Sequence, residues 1–145
     1  MRTAHLLAVL LFLVTLPRAG RQVYGQATMP PASLQQALHR VDDLLAAGKN
    51  KEAVDEATKA VAENPSSALA HVFLGRAFLA VGEEDKAALE FRNAMALDAK
   101  NAEAHFWLGQ LRLIQRRLPD AQAEFRRAIE AAPDLGPAYA VLGRL

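Results

Sequence analysis

A Leu-Gly pair recurs at intervals of 34 residues, as Leu74-Gly75, Leu108-Gly109 and Leu142-Gly143. Other positions keep the same spacing: Ala53, Ala87 and Ala121; Ala60, Ala94 and Ala128; Phe91 and Phe125; His71 and His105. A period of this length built of helical segments marks a stacked array of helix-turn-helix units. Two antiparallel helices of about 13 residues, with two short turns, consume one such period. Small residues belong where helix axes approach to about 8–10 Å. That assigns Gly75 and Gly109 to the crossing on the first helix of a pair, and Ala53, Ala87 and Ala121 to the second. Phe91 and Phe125 are expected to fill the wedge between one pair and the next.

Capping and turn residues place the elements. Ser33 with Gln36 three residues on reads as a capping box opening a first helix over 33–46, which Gly48 ends. Further helices are expected over 51–63, 67–80, 85–97, 102–115 and 119–131, with Gly82 in the second turn and Pro65 and Pro133 closing units. Glu83, Glu84 and Asp85 sit where a helix begins, where negative charge suits the positive end of the dipole. Pro119 suits a first helical turn, where its missing N–H is not needed.

The amino-terminal segment has a different character. Arg2 and His5 precede an unbroken apolar run of 11 residues over 6–16 (LLAVLLFLVTL). A bilayer span needs about 20 residues, whereas a secretory leader needs only a short apolar core. Gly25-Gln26-Ala27 offers small residues at a cleavage site, so residues 1–27 read as a signal peptide cut after Ala27, with an uncleaved anchor as the alternative. Three of the 17 Lys and Arg (Arg2, Arg18 and Arg21) leave with it, and all 16 Asp and Glu stay, so the mature chain carries 14 against 16, a balance of −2. That argues against a nucleic-acid binder, whose footprint is a basic face. The chain contains no cysteine, so no disulfide framework or lipoprotein anchor is available. The expected location is exported, periplasmic or secreted, with no integral membrane span after cleavage.

The repeated residues resemble the tetratricopeptide repeat. Leu74-Gly75, Phe78, Gly82, Ala87, Phe91 and Ala94 carry the match in one unit; Trp107-Leu108-Gly109, Ala121, Phe125, Ala128 and Pro133 carry it in the next. These two units share 11 identities in 34 positions. The resemblance implies an all-α solenoid wound as a right-handed superhelix. The expected organisation is a lead-in over 28–33 and a repeat domain over 34–145, with units at about 34–67, 68–101 and 102–135 and a partial fourth helix over 136–145. The first unit is atypical: Arg40-Val41 replaces Leu-Gly and Ala57 replaces the phenylalanine, as befits a terminal cap. The last helix, about ten residues long, is too short to stand alone and must lean on its neighbour.

Little in the chain suggests chemistry. It has no Gly-rich phosphate loop, nucleophile elbow or HExxH zinc helix, so a non-enzymatic protein without cofactor or metal is expected. His71 and His105 are repeat equivalents, placed too far apart to share one zinc at about 2.0–2.1 Å, and read as packing residues. His39 and Asp43, four apart on one helix, read as a solvated ion pair. The acidic trio lacks the spaced ligands of a calcium loop. Arg112, Arg116, Arg117, Arg126 and Arg127 read as a solvated face, with an acidic partner or anionic headgroups as the alternative.

The concave face is where the resemblance implies ligands bind, along the first helices of successive units. There the sequence offers Leu38, Asp42 and Leu45; Leu69, Val72, Phe73, Arg76 and Leu79; Glu103, Phe106, Trp107, Gln110 and Leu113. Leu38, Asp42, Leu69, Phe73, Arg76, Phe106, Trp107 and Gln110 are the candidate partner-binding set, with Phe73 and Trp107 foremost because aromatics dominate hot spots. The rival reading is that several belong to the core between repeats. Family members that bind chaperone tails use a lysine-asparagine-arginine clamp on a terminal carboxylate. The matching places hold Leu38, Asp42, Phe73, Glu103 and Trp107, so that clamp is absent. The expected function is an interaction module holding a protein or peptide segment in an apolar groove. As resemblance, exported members serve in envelope assembly, secretion or cytochrome c maturation. The alternative is a self-associating structural element, or an accessory subunit, using an open carboxy-terminal end.

Overall fold

The computed structural model describes residues 30–145; the leader assigned to 1–27 lies outside the described residues. Among the described residues there are seven helices and no strand: α1 (Ala32–Ala46), α2 (Asn50–Glu63), α3 (Ala68–Ala80), α4 (Glu84–Leu97), α5 (Ala102–Ile114), α6 (Leu118–Ala131) and α7 (Gly136–Leu142). Each helix packs on the next, and α1, α3 and α5 also touch one another in succession. The even-numbered helices make no such lateral contacts of comparable extent, so the odd-numbered helices form the inner layer and the even-numbered ones the outer. No helix among the described residues is long and apolar enough to cross a membrane.

The close crossings explain the Leu-Gly spacing. A Cβ built on Gly75 would lie 2.5 Å from the Phe91 ring, and one on Gly109 would lie 2.8 Å from Phe125. Each phenylalanine therefore lies on the glycine of its own repeat, a tighter role than filling the wedge between pairs. Phe91 does both, since its buried cluster includes Leu108 and Leu111 of the next unit. Ala53, Ala87, Ala121 and Ala94 are wholly buried on the facing helices, where any larger side chain would push the axes apart.

Three turns between the helices of a pair share one hydrogen-bond pattern. Lys49, Glu83 and Arg117 each donate to the carbonyl five residues back, and Gly48, Gly82 and Arg116 to the one three back. This closure needs a left-handed residue just past the helix. Gly48 (φ 72°) and Gly82 (φ 79°) meet that need without strain, but Arg116 (φ 59°) occupies the same place in the third unit.

The amino-terminal caps differ from expectation in one unit. Ser67 and Asn101 cap α3 and α5, accepting from the amides of Ala70 (3.2 Å) and Ala104 (2.9 Å). Ser33 stands in the equivalent place but makes no capping bond. The expected capping box is absent because α1 starts at Ala32 with Pro31 as its cap, so Ser33 already lies inside the first turn. Pro31 (φ −49°) is fixed in a helix-compatible φ, which brings the entry forward. At the other end α7 has seven residues, shorter than expected, and is anchored by the buried Ala138.

Candidate functional site

The inner layer brings two rows of side chains together at one-repeat intervals. The first row is His39, Phe73 and Trp107; the second is Asp42, Arg76 and Gln110. Residues 34 apart occupy the same place on α1, α3 and α5, so each row runs across the three helices. Arg76 joins the rows. Its Nη2 donates to Asp42 Oδ1 at 2.7 Å. Its guanidinium carbon lies 4.5 Å from the Phe73 ring centroid and 4.9 Å from that of Trp107. One side chain thus contacts all three inner helices, and stacking on two rings holds its planar cation in place.

Arg76 Nε is buried without a hydrogen-bond partner. An orphaned donor of this kind is costly and calls for an acceptor. Asp42 uses one oxygen on the same guanidinium and keeps a half-exposed carboxylate, 45% accessible, beside it. Next to this pair, Pro30, Gln35, Leu38, His39, Asp42, Leu69 and Phe73 line a cavity of about 160 Å³. Its walls are mainly apolar, with Asp42 at the polar side, a setting suited to one apolar side chain adjoining a polar backbone group.

The structure divides the expected set. Asp42, Leu69, Phe73, Arg76 and Trp107 meet in this region, with Gln110 at the equivalent place on α5. Leu38 is 5% exposed and belongs chiefly to the first buried cluster. Phe106 is turned to the core: its ring lies 5.6 Å from Phe125 and 5.5 Å, edge-on, from Trp107. Val72 is wholly buried. Phe73 is itself 8% exposed, so Arg76 covers the aromatic surface expected to meet a partner. His39, Gln35 and Pro30 are additions. Counting back 34 from Phe73 reaches His39, a signal the repeat spacing already carries.

His39 and Asp43 are both exposed and form no ion pair, and His39 instead stands at the rim of the cavity. Arg116, Arg117, Arg126 and Arg127 are exposed, and three of the five clustered arginines have partners. Arg112 donates to Gln115, Arg117 pairs with Asp120 and Arg127 with Glu124. Glu84 and Asp85 fall in the first turn of α4. His71 and His105 each bridge a glutamate and a backbone carbonyl: Glu90 and Pro65, and Glu124 and Ala99.

Paired helices in two layers, a one-repeat register and a lined inner face define a helical-repeat scaffold. The chain belongs to the tetratricopeptide-repeat family, whose model matches residues 38–100 and 85–136; this is a family of protein-interaction scaffolds. No curated protein matches the chain significantly. Among solved structures it is similar to the TPR domain of Aspergillus fumigatus Sgt2, with 20% identity, TM-score 0.71 and coverage of 83% of this chain and 82% of that one. It is similar to SycD, a type III secretion translocator chaperone of Yersinia enterocolitica (17%, TM-score 0.70, coverage 78% and 90%). The second TPR domain of human RPAP3, in complex with the HSP70 peptide SGPTIEEVD, is also similar (21%, TM-score 0.65, coverage 77% and 92%).

Proposed function

We propose that this chain is an exported interaction module that holds a partner protein's segment against the concave face of α1, α3 and α5. The observation that carries this reading is Arg76, a cation stacked between Phe73 and Trp107, tied to Asp42 and left with an unsatisfied donor. A buried orphan donor beside an apolar cavity suits a ligand that brings both an acceptor and an apolar side chain. The solved RPAP3 domain supports the general mode, since it holds a peptide. The mature chain follows a leader read at 1–27, which supports a periplasmic or secreted setting. Envelope assembly, secretion and cytochrome c maturation are the processes this setting suits.

The partner differs from an acidic chaperone tail. Leu38, Asp42, Phe73, Glu103 and Trp107 stand where a carboxylate clamp places its basic and amide side chains, and Asp42 and Glu103 would repel such a tail. The test is capture of partners from an envelope extract by the immobilised chain, beside Arg76→Ala, Trp107→Ala and an outer-face Lys59→Ala control. The expected result is loss of captured protein in the first two variants, with helical content retained, and no loss in the control. Equal capture by all four would remove the groove reading. A concentration-dependent mass in sedimentation, with nothing captured, would favour self-association instead.

A further inference from the structure

His105 on α5 is 11% exposed at its side chain, with Nδ1 2.8 Å from Glu124 Oε2 on α6. Its Nε2 lies 3.3 Å from the carbonyl oxygen of Ala99, in the turn before α5. A carboxylate and a carbonyl can only accept, and neutral imidazole has only one N–H. In either neutral tautomer a ring lone pair would face an acceptor oxygen. Only the doubly protonated ring satisfies both neighbours.

We propose that the His105–Glu124–Ala99 bridge is a pH-sensitive latch, fastening the α4–α5 turn to the third helix pair when His105 is protonated and releasing it when the ring loses a proton. The charged groups around it are few. From α6 come Glu124, Arg127, bonded to Glu124 at 2.6 Å, and Glu130; from the turn comes Lys100. Glu130, Arg127 and Lys100 line a shallow depression with His105. The second unit repeats the frame 34 residues earlier: His71 meets Glu90 at 2.6 Å and the Pro65 carbonyl at 3.1 Å. There Asn93 takes the place of Arg127 as the glutamate's second donor.

The electrostatics agree with the geometry. The hydrogen bond to Glu124 raises the pKa of His105, burial opposes it and the Ala99 carbonyl adds to the rise; the result lies above the ordinary 6.5. For Glu124, burial pushes upward, but the bond from His105 and the charge of Arg127 outweigh it, and its pKa falls below the ordinary 4.5. A raised histidine contributes stability that is complete below 6.5 and is lost as pH climbs through the folded value. A lowered glutamate contributes stability present above 4.5 and lost as pH falls through its folded value. The latch therefore holds between these limits. On the alkaline side the Glu124 bond survives on one N–H, and the Ala99 contact is the one released.

The full chain labelled with ¹⁵N gives the direct test, read from the His105 ring nitrogens and from amide exchange over 101–104 between pH 5.5 and 9. His105 is expected to titrate above 6.5. Exchange there should quicken beyond its intrinsic pH dependence across that titration, and the same rise should be absent in a His105→Phe chain. Glu124→Gln keeps an acceptor but removes the charge; it should lower the His105 titration and shift the loosening to lower pH. The emission of Trp107, the chain's one tryptophan, two residues beyond His105, checks that the variant is folded. A wild-type His105 titrating at or below 6.5, or an unchanged exchange profile in Glu124→Gln, would overturn the latch.

Discussion

The first repeat and the two that follow solve the same packing problem with opposite choices. In the second and third, a glycine on the first helix receives a phenylalanine from the second: Gly75 with Phe91, Gly109 with Phe125. In the first, the equivalent residues are Val41 and Ala57, both wholly buried in one cluster. Volume has moved from the outer helix to the inner one. Close packing demands only that the sum fill the space, so loss of the Leu-Gly pair at Arg40-Val41 is an exchange of bulk and the crossing survives. The repeated motif is thus two residues read together across 16 positions of sequence.

Removing bulk from the later repeats should have the largest effect. Phe91→Ala deletes a wholly buried ring between two units and is expected to cost about 3–5 kcal/mol in urea unfolding. A cost under about 1 kcal/mol would mean that the ring is not the keystone of the crossing. The exchange itself can be tested by building the later solution into the first repeat. Val41→Gly and Ala57→Phe should each destabilise by about 2–3 kcal/mol, one by a cavity and the other by overpacking. The double variant should recover part of that loss, with a coupling of about 1–3 kcal/mol. Strict additivity would show that Val41 and Ala57 do not compensate one another.

Two smaller effects sharpen the contrast. Arg116 holds the left-handed turn position that Gly48 and Gly82 fill elsewhere. Relief of that strain outweighs glycine's greater unfolded-state freedom, so Arg116→Gly should stabilise by about 0.5–1 kcal/mol. A loss would show that the arginine side chain stabilises the turn by more than its backbone strain costs. Ser67→Ala should cost about 1 kcal/mol through its capping bond, whereas Ser33→Ala should leave the thermal midpoint unchanged. Equal effects at the two serines would contradict the earlier entry of α1.

The spacing of Gly75, Phe91 and their equivalents makes the helix pairs legible in the sequence, because close backbone approach leaves so few residue choices. Helix boundaries follow to within a residue or two wherever a cap or turn residue marks them. Ser33 misleads because Pro31, two residues upstream, has the stronger claim on the entry. The groove is less legible. Asp42, Arg76 and Trp107 are visible as inner-face residues, but hydropathy carries no sign that a guanidinium lies over two rings and covers them. Phe106 reads as a groove residue because it adjoins Trp107 in the chain, but neighbours on a helix do not share a face; it is the repeat equivalent of the buried Val72 and packs on Phe125. His71 and His105 read as packing residues, and the glutamates that make them bridges lie 19 positions away, beyond any local pattern.

The central claim, that partners meet the inner layer at Arg76, is tested most directly by site-specific photo-crosslinking. A benzophenone side chain at Gln110, on the inner row, is compared with one at Leu89, exposed on the outer helix α4. The account predicts discrete partner adducts from Gln110 that vanish when Arg76→Ala is added, and none from Leu89. Adducts from Leu89 alone, or adducts from Gln110 that persist unchanged without Arg76, would contradict it.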